Sequence, residues 1–165
     1  MDFIRRYFNQ TKKYSTLRFI LELSATAFFL KVVAITLAIP ILSFFGVPVE
    51  SNLELEKSFL DDPLPMATAL IILFATFETF IGQMLILWFA KKISDDVSFR
   101  LLLSALVFAL LHVEPIIIAA VFPIGLVLAW AYLVYREKSR WSAIWVTTAI
   151  HVIHNLFALW LVSLG

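Results

Sequence analysis

An all-α, polytopic membrane bundle is the fold class this sequence predicts, and three observations predict it. The chain of 165 residues is 62% hydrophobic and 15% charged, with mean hydropathy +0.94. That is more apolar surface than one soluble core can hide, so lipid is the solvent for most of it. Apolar windows of roughly 20 residues, enough to span a bilayer, recur along the chain. No segment alternates with period two, and only helices or closed barrels satisfy the backbone in lipid.

Five helices follow in order. The first runs from Leu17 to Phe45, longer than one crossing needs, with a bend expected at Pro40. The second runs from Pro65 to Ala90. A shorter third run, Phe99 to Val113, stops at Pro115, whose ring disfavours helix at Glu114. The fourth extends from Pro115 to Tyr135 and the fifth from Trp141 to Leu164. Neither a flexible linker nor a repeat period divides the chain. It reads as a basic segment (1–18), a first transmembrane helix (19–45), an acidic loop (46–65) and a four-helix core (66–165).

Charge sets the topology. Arg5, Arg6, Lys12, Lys13 and Arg18 precede the first helix, and Lys91, Lys92, Arg136, Lys138 and Arg140 fill the second and fourth connections. These sides are expected to be cytoplasmic, with the amino terminus inside. The loop from Gly46 to Leu64 holds Glu50, Glu54, Glu56, Asp61 and Asp62 against Lys57 alone, as the opposite face requires. The first helix lacks a cleavage signature and reads as a retained anchor. Trp88, Tyr135 and Trp141 fit interfacial anchors. The amino-terminal cations suit anionic lipid, although topology signalling explains them equally well. Compactness suggests a bacterial or archaeal cell membrane, and nothing marks a nucleic-acid partner.

The chemistry-bearing residues are those that ought not to be in lipid. Glu78, His112, His151 and Asn155 lie roughly 15 to 21 Å from the cytoplasmic boundary, counting about 1.5 Å per helical residue. Three helices thus deliver polar groups to one layer, where such groups are costly. Interhelical packing bonds explain one such residue readily, but four in one stratum favour a functional site. His151 and Asn155, four apart, share a face, while His154 lies about 60° round and suits a supporting donor. Phe108 sits one turn before His112, as an aromatic wall or plain packing. Lys31 is expected to snorkel or pair with a carboxylate, and Glu22, Glu114, Asp95 and Asp96 to stay near solvent. Phe74, Phe77, Phe80 and Phe89 read as lipid-facing or packed surface.

These residues resemble the motifs of the CPBP intramembrane proteases, also called Abi proteins, which include the type II CAAX prenyl endopeptidases. The family has a pair of Glu followed after three intervening residues by Arg, then Phe-x-x-x-His, then His-x-x-x-Asn or Asp. Here the three read Glu78-Thr79-Phe80-Ile81-Gly82-Gln83, Phe108-Ala109-Leu110-Leu111-His112 and His151-Val152-Ile153-His154-Asn155. The likeness covers Met66 to Leu161, with Gly125 in the helix between the second and third motifs. Thr79 and Gln83 replace the second Glu and the Arg. Losing both members of a helical ion pair strands no charge.

The resemblance implies hydrolysis of a peptide bond in a membrane-associated protein or peptide. Glu78 would be the general base, His112 would help activate water, and His151 with Asn155 would stabilise the oxyanion. Without Cys there is no thiolate nucleophile or thiolate zinc site. Glu78, His112 and His151 make up a His-His-carboxylate set of the kind that holds zinc with an open position. The resemblance favours the metal-free version, so no cofactor is expected. The alternatives are a catalytically silent immunity or scaffold protein and, less favoured because no inverted repeat is visible, an ion or proton transporter.

Overall fold

A computed structural model of the protein describes residues 2–11, 15–47 and 64–162. The helices are α1 (Asp2–Thr11), α2 (Thr16–Phe44), α3 (Leu64–Glu78), α4 (Ile86–Ile93), α5 (Val97–Leu110), α6 (Pro115–Arg136) and α7 (Arg140–Val162). A π-helical segment, π1 (Thr79–Leu85), joins α3 to α4 without a break. Among the described residues there is no strand. The predicted acidic loop falls mostly outside the described residues, as do Lys12 and Lys13.

The local chemistry explains the boundaries. Ser15 caps α2 by accepting the Arg18 backbone N–H at 3.2 Å. Helix α2 runs through Pro40 to Phe44 and is closed by a turn at Gly46, whose φ of 68° is the left-handed conformation such a turn requires. Asp96 caps α5, with its two carboxylate oxygens accepting from the Ser98 and Phe99 backbones at 3.3 and 3.1 Å. Pro115 opens α6, where its missing N–H costs nothing.

Among the described residues, four segments are long and apolar enough to cross a membrane: Thr16–Phe44, Thr68–Ile93, Pro115–Arg136 and Arg140–Leu161. The third apolar run is different. Helix α5 has 14 residues, about 21 Å of rise, which falls short of a hydrocarbon core of roughly 30 Å. It stops at Leu110, and His112 lies in the turn beyond it rather than on the helix.

Helix α6 is the hub, packing against α2, α5 and α7, and most of its side chains from Ile124 to Tyr135 are buried. Small residues, Ala120, Gly125, Ala129 and Ala131, let its neighbours approach closely. By contrast, α2 touches α6 and α7 along one narrow face and turns the rest outward. Phe74, Phe77, Phe80 and Phe89 are exposed on the outside of the bundle rather than packed within it.

The amino-terminal segment differs from the sequence reading, which gave it no structure. Residues Asp2–Thr11 form α1, with Ile4 buried and Tyr7 packed on Trp130 of α6 at a ring-centroid distance of 5.1 Å. The physical reason is amphipathicity, since apolar residues spaced three apart share one face and lie against the bundle end.

Candidate active site

Glu78 is the last residue of α3, where the helix widens into π1. Single π turns inside α-helices often occur at functional sites, because they change which face the following residues present. The Glu78 carboxylate is 34% exposed, and its Oε2 stands 3.4 Å from Nε2 of His151 on α7. The imidazole of His151 is almost wholly buried at 4%. Its other nitrogen, Nδ1, faces the Thr79 hydroxyl at 3.4 Å. One carboxylate and one hydroxyl therefore hold the two sides of a single ring.

Phe108 organises the second imidazole. Its ring is 1% exposed and lies between two histidines, with centroids 5.8 Å from His112 and 5.5 Å from His151, edge-on to both. Nδ1 of His112 is fixed by the Phe108 carbonyl at 3.2 Å. With Nδ1 donating to that carbonyl, Nε2 is left as the free acceptor of a neutral ring. Electrostatically, His112 acts on both Glu78 and His151. Glu78 and His151 are thus in direct contact, and His112 stands on the other side of the Phe108 ring from His151.

Two glycines make room for that ring. A Cβ on Gly82 of π1 would stand 2.7 Å from Phe108 Cδ2. One on Gly125 of α6 would meet the Ala105 Cα at 2.9 Å and Phe108 Cδ1 at 3.1 Å. Phe108 is therefore a wedge seated between π1 and α6, and its position fixes the separation of the histidines. The sequence reading left it as either wall or packing; in the structure it serves as both.

Thr79 and Gln83 share one helix but do not address each other. Both are fully buried, Thr79 toward His151 and Gln83 toward Ser104 on α5. The Ser104 hydroxyl stands 2.7 Å from Gly82 O and 2.7 Å from Gln83 Oε1, yet it has one proton. Both contacts are satisfied when the Gln83 amide is turned so that its nitrogen donates to Ser104 and Ser104 donates to Gly82 O. Ser104 was missed by sequence reasoning. A lone hydroxyl in the run Leu101-Leu102-Leu103-Ser104-Ala105-Leu106 was the available signal.

His154 does not serve as a supporting donor to the site in this structure. Its ring is 2% exposed, neither nitrogen has a hydrogen-bond partner, and it faces Phe28 of α2 with centroids 6.5 Å apart. Asn155 is half-buried one turn beyond His151, on the same face. Among the described residues no three His, Asp or Glu side chains come together as a metal-holding group.

A model of the family described as type II CAAX prenyl endopeptidase Rce1-like matches residues 60–157, more than half of the chain. The protein belongs to that family. The matched stretch contains Glu78, His112, His151 and Asn155, and membership makes this Rce1-like chain a protease-type membrane enzyme in general terms. No curated protein and no solved structure matches the chain.

Proposed function

We propose that the protein is an intramembrane endopeptidase that hydrolyses a peptide bond of a membrane-associated protein or peptide, with Glu78 as the base. The observation that carries this reading is the 3.4 Å approach of the Glu78 carboxylate to His151, with His112 across the Phe108 ring. Glu78 is partly open, as a group that must meet water and substrate has to be.

In this reading a water lies between the Glu78 carboxylate and Nε2 of His112. Glu78 takes its proton as the oxygen attacks the scissile carbonyl. The oxyanion then accepts from His151 Nε2–H and the Asn155 amide, donors whose value rises in a site poor in water. Protonated Glu78 returns its proton to the leaving amide nitrogen as the C–N bond breaks, which restores the carboxylate. Glu78, His112, His151 and Asn155 supply all of these steps without a metal. The amino terminus and the basic connections face the cytoplasm. Thr79 and Gln83, which replace the charged pair of the family motif, support a second reading as a silent relative that binds partners through the same helices.

Cleavage of membrane-anchored reporter peptides by the purified protein in detergent tests the proposal. Glu78→Gln lowers turnover by about 10²-fold or more, and His112→Ala does so comparably. A chelator leaves the wild-type rate unchanged. Equal cleavage by wild type and Glu78→Gln would overturn the assignment of Glu78, and loss with chelator would make the site a metal centre.

A further inference from the structure

Away from the candidate active site, a cavity of about 390 Å³ opens at the basic end of the bundle, beneath α1. Four cations line it from four helices: Lys91 of α4, Arg100 of α5, Arg136 of α6 and Arg140 of α7. A single carboxylate, Glu137, shares the lining, and Asp95 acts on Arg100 from the preceding loop. Positive charge is in excess even when both acids are counted.

Arg100 is the decisive residue. Its side chain belongs to a residue only 6% exposed, it lines the cavity, and its Nε has no hydrogen-bond partner. A buried guanidinium donor left unsatisfied is expensive, and an acceptor of opposite charge entering the cavity would complete it. Tyr132, also in the lining, lies within electrostatic reach of the Arg136 and Arg140 guanidinium groups. One buried guanidinium with two more at the rim suits the several oxygens of a phosphate better than a single carboxylate. The remaining wall is apolar and turned to lipid, since Leu85 is 41% and Trp88 55% exposed.

We propose that this cavity binds the phosphate of an anionic lipid, its headgroup against Arg100, Arg136 and Arg140 and its acyl chains along Leu85 and Trp88. Basic pockets between transmembrane helices take such headgroups. The site does not depend on whether the chain cleaves peptides.

The test uses the full chain in detergent, with retained lipid read by native mass spectrometry. Phosphatidylglycerol is offered against phosphatidylcholine, with and without inorganic phosphate as competitor. Preferential retention of phosphatidylglycerol, reduced about five-fold by Arg136→Gln or Arg140→Gln, is the expected result. Arg100→Gln has the larger effect, and its melting curve reports whether the fold survives; the two exposed arginines keep the test valid if it does not. Lys138→Gln, at the same end but outside the lining, leaves retention unchanged. Displacement by inorganic phosphate without preference between the lipids keeps the phosphate chemistry and removes lipid as its source. Equal retention of both lipids in all variants with no effect of phosphate, or an equal loss in Lys138→Gln, overturns the proposal.

Discussion

His151 has three hydrogen-bonding neighbours: the Glu78 carboxylate at Nε2, the Thr79 hydroxyl at Nδ1, and the Ala75 backbone carbonyl, which accepts from the ring. In the proposed reaction Glu78 is ionised and only accepts, so Nε2 is the donor toward it and Nδ1 accepts from the Thr79 hydroxyl. In the proposed reaction that same Nε2–H is the group offered to the oxyanion, which makes Thr79 a positioning residue for His151. Thr79→Val keeps the shape and removes the donor, so turnover falls about 10-fold, a typical cost of losing such an outer hydrogen bond, and Thr79→Ser restores it. The ¹⁵N shifts of the His151 ring report the tautomer directly and move in the Val variant alone. At this scale the polar residues announced themselves, because Glu78, His112 and His151 are out of place in apolar runs. The separate partners of Thr79 and Gln83 were hidden, since a spacing of four reads as one shared face only while the helix stays α.

The segment π1 is where helical arithmetic fails and where the site is built. Its wider turn lets Thr79 reach α7 while Gln83 reaches α5, and it lays Gly82 against the Phe108 ring. The opposite wall is stiffer still, because the nearest contacts at Gly125 are with the Ala105 backbone as well as the Phe108 ring. Gly125→Ala therefore drives α5 from α6 at a cost of about 1–3 kcal/mol, seen as a lower melting temperature in detergent. Because Phe108 moves with α5, activity falls in the same variant even below its melting point. Helix existence was legible from apolar windows, whereas the π turn was not: Thr79-Phe80-Ile81-Gly82-Gln83-Met84-Leu85 carries no local signal that separates it from an α-helix. The early end of α5 was only half legible, since Pro115 marks the start of α6 without showing that His112 already stands in the turn.

Across the whole molecule, the basic connections meet at one end, as the shared cavity of Lys91, Arg136 and Arg140 shows. The chain contains no cysteine, so single introduced thiols report membrane sidedness without background. In intact cells an impermeant maleimide labels Val47→Cys, and it labels Lys138→Cys only once the membrane is opened. The reverse pattern would invert the topology and move the lipid site to the other leaflet. Alternating charge made this layout readable, and the docking of α1 was not, because ten residues carrying Arg5 and Arg6 resemble a tail until something covers their apolar side.

The short reach of α5 has a consequence for the surrounding bilayer. With α5 upright from the cytoplasmic face, the turn from Leu111 to Glu114, with Val113 91% exposed, would stop roughly 9 Å below the far face of a typical hydrocarbon layer. Irregular backbone at that depth is stable only against protein or water, so in that placement lipid would dip toward it and leave a wet hollow over His112. On the proposed mechanism, membrane thickness then becomes a dial on hydrolysis: longer acyl chains would fill the dimple and starve His112 of water, while thinner ones would keep it supplied.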